Sequence, residues 1–572
     1  MHGRSGWTGR IASIAVAILI QVPPSGVPEW TTAACAEPID SATPRSPLDG
    51  VVPAASRAVT GDTAPEALPP DEAMPAAASA PAGVLSPSPP ETLSTEPIVP
   101  PVAAVPIHDV VNGLPLAVHW NHGLSLESPS RDFAIKVGGR VQIDTSAYTQ
   151  GAGPAEPPAF GGLNPPLNGA TNFRRARIRA EGRMYEVYDW AMEYDFANQL
   201  NVNNEAFPTA RDIGPLPAVT DLWVQIRELP YLGIVRIGNQ KDPFGYEHLT
   251  SSRWLNFMER SFTMDAFVGP FNEGFQPGIK VLNASDDGRV IWQVGEFKNT
   301  SNVFGSNATD GGSQTVGRLV VLPVFEGEGE RLVHLGVSGR TMGLKLLQTE
   351  FDPATGMPTG PEVPAVRFRS RGDVRNGPPG PVNSIYADAG LLEGSWQNMI
   401  GLEFVGNDGP LSWQAEYIGS WLYGAVTTGN DPINAGRQPP AGTPVGTVFY
   451  QGGYVEVLYF LTGETRTYSR LEGVFDRPIP RDTFYVLRGA RRLLSSPGAW
   501  QVGARYNCLS LNDGEVNGGV LNAVTLGLNW LWNPNARVYF NYDFTYRDFT
   551  NLAGFNGSGG IHAFGTRLAF DF

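Results

Sequence analysis

The stretch LGLNWLWNPNARVYFNYDFTYRDF, residues 526–549, decides the fold. Val524, Leu526, Leu528, Trp530 and Trp532 occupy alternate positions up to Asn533-Pro534, and Val538, Phe540, Tyr542, Phe544 and Tyr546 do so beyond it. Asn541, Asp543 and Arg547 stand between the members of the second set. A side-chain period of two places each set on one face of a strand. The two strands meet at a tight turn, each with one face rich in Trp, Tyr and Phe. Such a hairpin suits lipid on its outer side and water on its inner side. The pattern is that of a transmembrane β-barrel, whose aromatic girdles meet both membrane interfaces.

The same alternation extends along the chain. Trp190, Met192, Tyr194 and Phe196 share a face, with Glu193 and Asp195 opposite. Leu411, Trp413, Ala415, Tyr417 and Trp421 share another, with Gln414 and Glu416 opposite. Strands are predicted near 131–148, 171–184, 188–200, 219–229, 232–241, 274–284, 288–298, 314–325, 331–347, 396–406, 410–424, 447–461, 498–510, 519–533, 535–549 and 560–572. Short links (Pro230-Tyr231, Asp286-Asp287, Asn533-Pro534) alternate with long ones (149–170, 201–218, 242–273, 348–395, 425–446), as periplasmic turns and outer loops do in such barrels. The loops 348–395 and 425–446 are expected to be exposed and to tolerate short insertions.

A barrel with both ends in the periplasm needs an even number of strands. Residues 462–497 therefore read as one long periplasmic connection, not as the site of a seventeenth strand at 465–477. The expected fold is all-β: a 16-stranded antiparallel transmembrane barrel, with an 18-stranded alternative that takes 365–371 as a further strand. In the last segment Phe564, Leu568, Phe570 and Phe572 point one way, and Arg567, Ala569 and Asp571 the other. An alternating strand ending in a C-terminal Phe is similar to the sorting signal read by the barrel-assembly machinery. In a soluble protein the same strand would leave an aggregation-prone edge.

Composition permits this reading. Mean hydropathy is −0.15, and no apolar run reaches the roughly 18–20 residues of a helical span. A barrel strand shows only every second residue to lipid, so low hydropathy does not exclude a membrane. Residues 1–36 read as an export signal: Arg4 and Arg10, an apolar stretch over 11–22, and an Ala34-Cys35-Ala36 cleavage site. Lipidation at Cys35 is the alternative, with Thr32 against it. Cleavage after Ala36 leaves Cys508 as the one thiol and no intrachain disulfide. Residues 37–106 are rich in Pro and Ala and hold nine acids against two arginines. Such a segment cannot bury enough apolar surface to offset its chain entropy. It reads as a disordered periplasmic linker, with a cell-wall contact as its functional alternative. Residues 107–130 form a short lead-in to a barrel domain at 131–572. The formal net charge of −15 argues against a nucleic-acid partner.

Four segments carry a family likeness: NFRRARIRAEG (172–182), NQKDPFGYEHLTSSRWLNFMERS (239–261), GGYVEVLYFLTGETRTY (452–468) and the opening 526–549 stretch. In this order they resemble the phosphate-selective porin O/P family, over about 131–572. The resemblance implies a 16-stranded homotrimeric channel with its third outer loop folded into the pore. It also implies a cationic constriction that attracts small anions such as phosphate. The family's pore-lining cations map onto Arg140 in GGR, Arg175 in FRR and Lys241 in QKDPFG, with Phe244, Trp254, Phe257 and Phe262 anchoring the loop against the wall.

The residues themselves point the same way. Arg175, Arg177, Arg179 and Arg183 lie on one strand face with Glu181, while Ala176, Ile178 and Ala180 face lipid. By the same count Arg174 falls on the outer face, where it is expected to snorkel at the rim. Guanidinium groups about 6.5–7 Å apart along a strand can pass an anion from one fork to the next, because arginine binds oxyanions bidentately and keeps its charge. The alternative is internal pairing with Glu193, Asp195 and Asp221. Lys136 and Arg140 share the inner face of the first strand, Arg236 and Gln240 that of the fifth, and Lys241, Arg253 and Arg260 lie at or in the third long loop. The candidate pore-lining and anion-binding set is thus Arg140, Arg175, Arg177, Arg179, Arg183, Arg236, Lys241, Arg253 and Arg260. There is no G-x-S-x-G, H-E-x-x-H or P-loop sequence, so neither an enzyme nor a cofactor or metal is implied. The expected function is passive, anion- or phosphate-preferring diffusion through a porin embedded in outer-membrane lipid. The alternatives are a plugged barrel that tethers the envelope and a general, non-selective porin.

Overall fold

The computed structural model describes residues 116–572 apart from 158–161, 164–165, 198–218, 270–273, 301–310, 349–359, 376–382, 429–435, 485 and 490–491. The expected signal at 1–36, the linker at 37–106 and the start of the lead-in lie outside these residues.

The alternating segments form sixteen wall strands. They are β1 (Phe133–Gln150), β2 (Ala170–Met184), β3 (Tyr188–Asp195), β4 (Val219–Leu229), β5 (Gly233–Lys241), β6 (Phe275–Ala284), β7 (Val290–Lys298) and β8 (Ser313–Glu326), followed by β9 (Arg331–Gly343), β10 (Trp396–Asp408), β11 (Leu411–Thr427), β12 (Pro444–Phe460), β13 (Ala499–Asp513), β14 (Val516–Asn533), β15 (Ala536–Asp548) and β16 (Gly559–Asp571). Each pairs antiparallel with the next. β16 closes the circle on β1, from Ile561 opposite Gln150 to Asp571 opposite Arg140. Closure is what lipid demands, since an open edge would leave backbone groups unsatisfied in hydrocarbon. The apolar stripes face outward: Ile178, Val224, Ile237, Leu335, Leu402, Leu526, Phe540 and Phe564 are all exposed. The seam is finished by the C-terminus. Gly139 donates its N–H to the Phe572 carbonyl at 2.6 Å and accepts from the Phe572 N–H at 3.1 Å. A Cβ at Gly139 would collide with the Arg177 carbonyl oxygen and lie 2.8 Å from the Phe572 ring, so this crossing needs glycine. Ahead of β1, Leu124–Glu127 extends the sheet beside it, and Ala117–Trp120 pairs with that segment.

The 18-stranded alternative does not hold. β9 pairs directly with β10, so 365–371 has no place in the wall. That segment lies in the strand Glu362–Arg371, which forms a hairpin with Ile385–Glu393. The hairpin folds into the lumen, which corrects the expected exposure of 348–395 for its described residues on these two strands. Phe368, Tyr386 and Ala387 are fully buried, and Phe368 meets Tyr450 of β12 at 5.2 Å between ring centroids. The physical reason is apolar: Val366, Phe368, Tyr386 and Leu392 join an inner cluster with Val448, Leu511, Leu521 and Ile561 of the wall. The exposure expected of 425–446 also fails in part. Arg437 and Gln438 turn inward and donate to the carbonyls of Asp388 and Ala389 at 3.0 and 2.6 Å.

Two further connections enter the lumen. The third loop, 242–274, does so as the resemblance implied. Its short helices Tyr246–Leu249 and Phe262–Phe267 are packed inside, with Phe244, Tyr246, Phe262 and Phe267 without exposure. The long connection between β12 and β13, expected on the periplasmic side, is the second. Its Tyr468–Ser469 and Val474–Phe475 strands form a hairpin that reaches in to pack on Tyr246, Ile291, Val320 and Val405. The segment 465–477, set aside as a wall strand on parity, holds this hairpin.

Candidate functional site: a cation-lined lumen

The loops leave a cavity of about 700 Å³ on one side of the barrel, and its strand-borne lining comes from β1 to β6 alone. Thirteen of the lining residues are lysine or arginine and seven are aspartate or glutamate, a formal excess of six positive charges. The whole chain carries −15. The formal charge of the cavity lining is thus opposite in sign to that of the whole chain.

Eight of the nine expected residues converge on this cavity: Arg140, Arg175, Arg177, Arg179, Arg236, Lys241, Arg253 and Arg260. Arg183 does not. It pairs with Asp189 at 3.0 Å and lines a second space of about 380 Å³ with His119 and Trp190.

The ladder on β2 is braced by acids. Arg177 binds Asp195 at 2.5 Å and Glu193 at 2.8 Å, and Arg140 shares Glu193 at 2.9 Å. Arg179 binds Asp221 at 2.5 Å and Glu181 at 2.8 Å. The internal-pairing alternative is therefore realised at Arg177 and Arg179 of the ladder and at Arg140 of β1, although all three still line the cavity. Arg175 donates to the Gln142 amide at 2.8 Å and stands 4.0 Å from Glu259. Arg236 lies over the Trp223 ring, 4.1 Å from its centroid, and donates to Gln225 at 2.8 Å. Arg253 is 3.8 Å from Glu193 and 3.9 Å from Asp571.

Arg174 departs from the expected rim position. The β1–β2 register slips between Gln142–Arg175 and Ile143–Phe173. A bulge of this kind inserts one extra residue and breaks the in–out alternation. Arg174 and Arg175 consequently both point inward, each 4% exposed. Arg174 grips Glu259 of the third loop with two bonds of 2.7 and 2.9 Å.

Three cations have no acid partner among the described residues. Lys241 directs its ammonium to the carbonyls of His248, Leu249 and Thr250 at 2.5, 3.3 and 3.2 Å. Arg260 donates to the carbonyls of Glu247 and Thr250 at 2.9 and 2.7 Å. Lys280 of β6 reaches only the Lys241 carbonyl, at 3.4 Å. Burial lowers the Arg260 guanidinium, against the raising pull of Glu247 and Glu259. Burial likewise pushes His248 down to about 4 despite Asp242 at 3.4 Å, so at neutral pH it contributes no charge. Backbone carbonyls hold all three groups in place at the edge of the cavity.

Of the loop aromatics expected as wall anchors, Phe244, Phe257 and Phe262 are buried. Trp254 instead donates its indole N–H to the Phe475 carbonyl at 3.2 Å, on the inserted periplasmic hairpin. Sequence reasoning missed Lys280, Arg375, Arg477 and Glu472 as lining residues. The signal for Lys280 was present, because it alternates with Ile279 and Val281 on a strand whose outer face is apolar.

The family described as Phosphate-selective porin O and P matches residues 135–572. Porin O of Pseudomonas aeruginosa is 24% identical, over 81% of this chain and 93% of its own. An uncharacterized protein of Caulobacter vibrioides is 26% identical, over 88% of this chain and 87% of its own. Among solved structures, OmpT of Vibrio cholerae aligns with a TM-score of 0.41 at 11% identity, over 77% of this chain and 99% of its own. An anion-selective porin from Comamonas acidovorans gives 0.41 at 11% identity, over 77% and 100%.

Proposed function

We infer that this chain, which belongs to the phosphate-selective porin O and P family, is a passive channel that prefers small anions, phosphate among them. As a member of that family it is an outer-membrane β-barrel and a channel, not an enzyme. The observation that carries the anion preference is the excess of six positive charges around the cavity of an acidic protein. The nine expected cations divide into four groups under this reading. Arg140, Arg177 and Arg179, locked by their acids, keep the ladder rigid and the wall polar. Lys241 and Arg260, together with Lys280, supply uncompensated charge where the loops narrow the lumen. Arg175, Arg236 and Arg253 offer N–H groups to an oxyanion in transit, and Arg183 attracts ions at the periplasmic rim. Desolvated guanidinium forks suit phosphate, because bonds between ionised partners are stronger than neutral ones. The homotrimer and recognition of Phe572 by the assembly machinery are carried over as part of the same reading, supported by family membership and by the alternating final strand.

Purified protein in planar lipid bilayers tests this. Discrete chloride conductance, reduced by added inorganic phosphate, is expected. A silent barrel would favour the envelope-tethering alternative, in keeping with the three connections that fill much of the lumen. Conductance indifferent to phosphate would favour a general porin.

A further inference from the structure

The inserted periplasmic hairpin brings a carboxylate into the cation-lined cavity. Glu472 sits at its tip, between Ser469 and Val474. The hairpin backbone is fixed from several sides. Arg318 of β8 donates to the carbonyls of Glu472 and Gly473 at 3.0 and 2.9 Å, and the Glu472 carbonyl also accepts from Gln293 at 3.4 Å. The Gly473 N–H donates to the Ser469 carbonyl at 2.8 Å, and Gly473 has a φ of +67°, a left-handed conformation that suits glycine. On the hairpin's two strands Tyr468 bonds His334 at 2.7 Å, and the Phe475 N–H donates to the Tyr246 hydroxyl at 2.9 Å. The side chain of Glu472 is therefore held at a set position. From there it reaches Arg236 Nη2 at 3.3 Å and shares the cavity with Lys280 and Lys241. Burial raises its carboxyl, but Arg236 and Lys280 outweigh it and hold the group below the ordinary range. The carboxylate keeps about a third of its surface open to the cavity.

We propose that Glu472 is a tethered counter-ion: a built-in carboxylate that occupies an anion position at Arg236, which a permeating anion must displace. This rests on the anion-channel reading and adds a specificity-determining residue to it. The physical logic is competition. A permeating phosphate and the Glu472 carboxylate are both oxyanions that seek the Arg236 fork, and the two repel each other. The tether weakens the hold on the permeating ion and so speeds its release, because conduction needs sites that bind enough to admit an ion and loosely enough to let it go. The Arg236 guanidinium is otherwise set for oxyanion capture. It is stacked on Trp223 and held through Nε by Gln225, which leaves Nη2 to face the cavity.

The test is Glu472→Gln in the full-length protein, read as inorganic-phosphate block of chloride current in planar bilayers at low salt. The half-blocking phosphate concentration is expected to fall by at least about threefold, the scale of one partly exposed ion pair, and the reversal potential in asymmetric KCl to move further toward chloride. In the Arg236→Gln background the same Glu472→Gln change should leave block nearly unaltered, because the competing site is gone. Unchanged block by Glu472→Gln in the wild-type background, or a move toward potassium, overturns the proposal. Should Glu472→Gln fail to assemble, Glu472→Asp retains the charge but withdraws it by one methylene; tighter phosphate block supports the tether, and unaltered block overturns it. The wild-type reversal potential reports separately on the anion-channel reading. A cation-preferring wild type whose Glu472→Gln variant still shifts toward chloride would sink that reading and leave the tether standing.

Discussion

Replacing Glu259 with Gln is expected to unseat the third loop and cripple assembly. Glu259 is 2% exposed and carries the charge balance of four arginines. It binds Arg174 at 2.7 Å and Arg567 at 2.6 Å, with Arg375 at 3.7 Å and Arg175 at 4.0 Å. Burial alone would raise its carboxyl, but Arg174, Arg175, Arg567 and Arg375 hold it well below the usual range. A carboxylate depressed in this way stabilises the fold above its unfolded value and loses that contribution only as pH falls through the folded one. Neutral pH therefore has the full effect. Gln preserves shape but leaves buried guanidinium groups with too little negative charge, and breaking a buried pair from one side costs about 3–5 kcal/mol. Denaturant titration followed by Trp fluorescence in lipid or detergent, with protease access to 242–274, measures the outcome. An unfolding midpoint equal to wild type would show that the cluster does not hold the loop.

Replacing Lys280 with Gln is expected to do the opposite: leave the barrel intact and erode selectivity. Lys280 has no acid partner among the described residues, and its one hydrogen bond goes to a backbone carbonyl, so no carboxylate is orphaned. Lumen-facing changes in such barrels tune selectivity more than insertion. A unit charge about 5 Å from a passing ion, at an effective dielectric near 20, acts with roughly 3 kcal/mol before screening. Allowing for solvent and counter-ions, the anion-to-cation permeability ratio should drop on the order of tenfold near 0.1 M salt, where the Debye length is about 10 Å, and much less near 1 M, where it is about 3 Å. A ratio that stays constant across salt would place the selective charge elsewhere. Arg177 is a poorer choice for this experiment. Its loss takes the arginine from Asp195 and one of two close arginines from Glu193 inside the barrel, so a selectivity change would be confounded with a folding defect.

The wall was legible because a period of two and the alternation of turn lengths are local properties of the chain. The hairpin at 526–549 became β14 and β15 with the expected outward faces. Parity left 365–371 open, since sixteen and eighteen are both even, and set aside 465–477, which is a lumen hairpin of two short strands. Only the pairing of β9 with β10 keeps the first out of the wall. What periodicity could not show was any break in itself. The bulge at Arg174 obeys no count, so that residue was placed on the wrong face. Loop burial was equally hidden, because Phe368 and Tyr386 find their partners through contacts distant in sequence. The arginine ladder was found as a set, but which rungs pair with acids depends on register: Arg177 lies opposite Asp195, and Arg179 opposite Glu193. Glu472 was invisible as a lumen residue, because nothing in a connection assigned to the periplasm marks its tip as turning inward.

The central claim is that a chain of net charge −15 conducts anions because its cavity is lined by an excess of cations. The reversal potential of the wild-type channel in asymmetric KCl tests it most directly. The account predicts a potential with the sign of the chloride equilibrium potential, shrinking as both salt concentrations are raised together. A potential at zero, or with the sign of potassium, would contradict it.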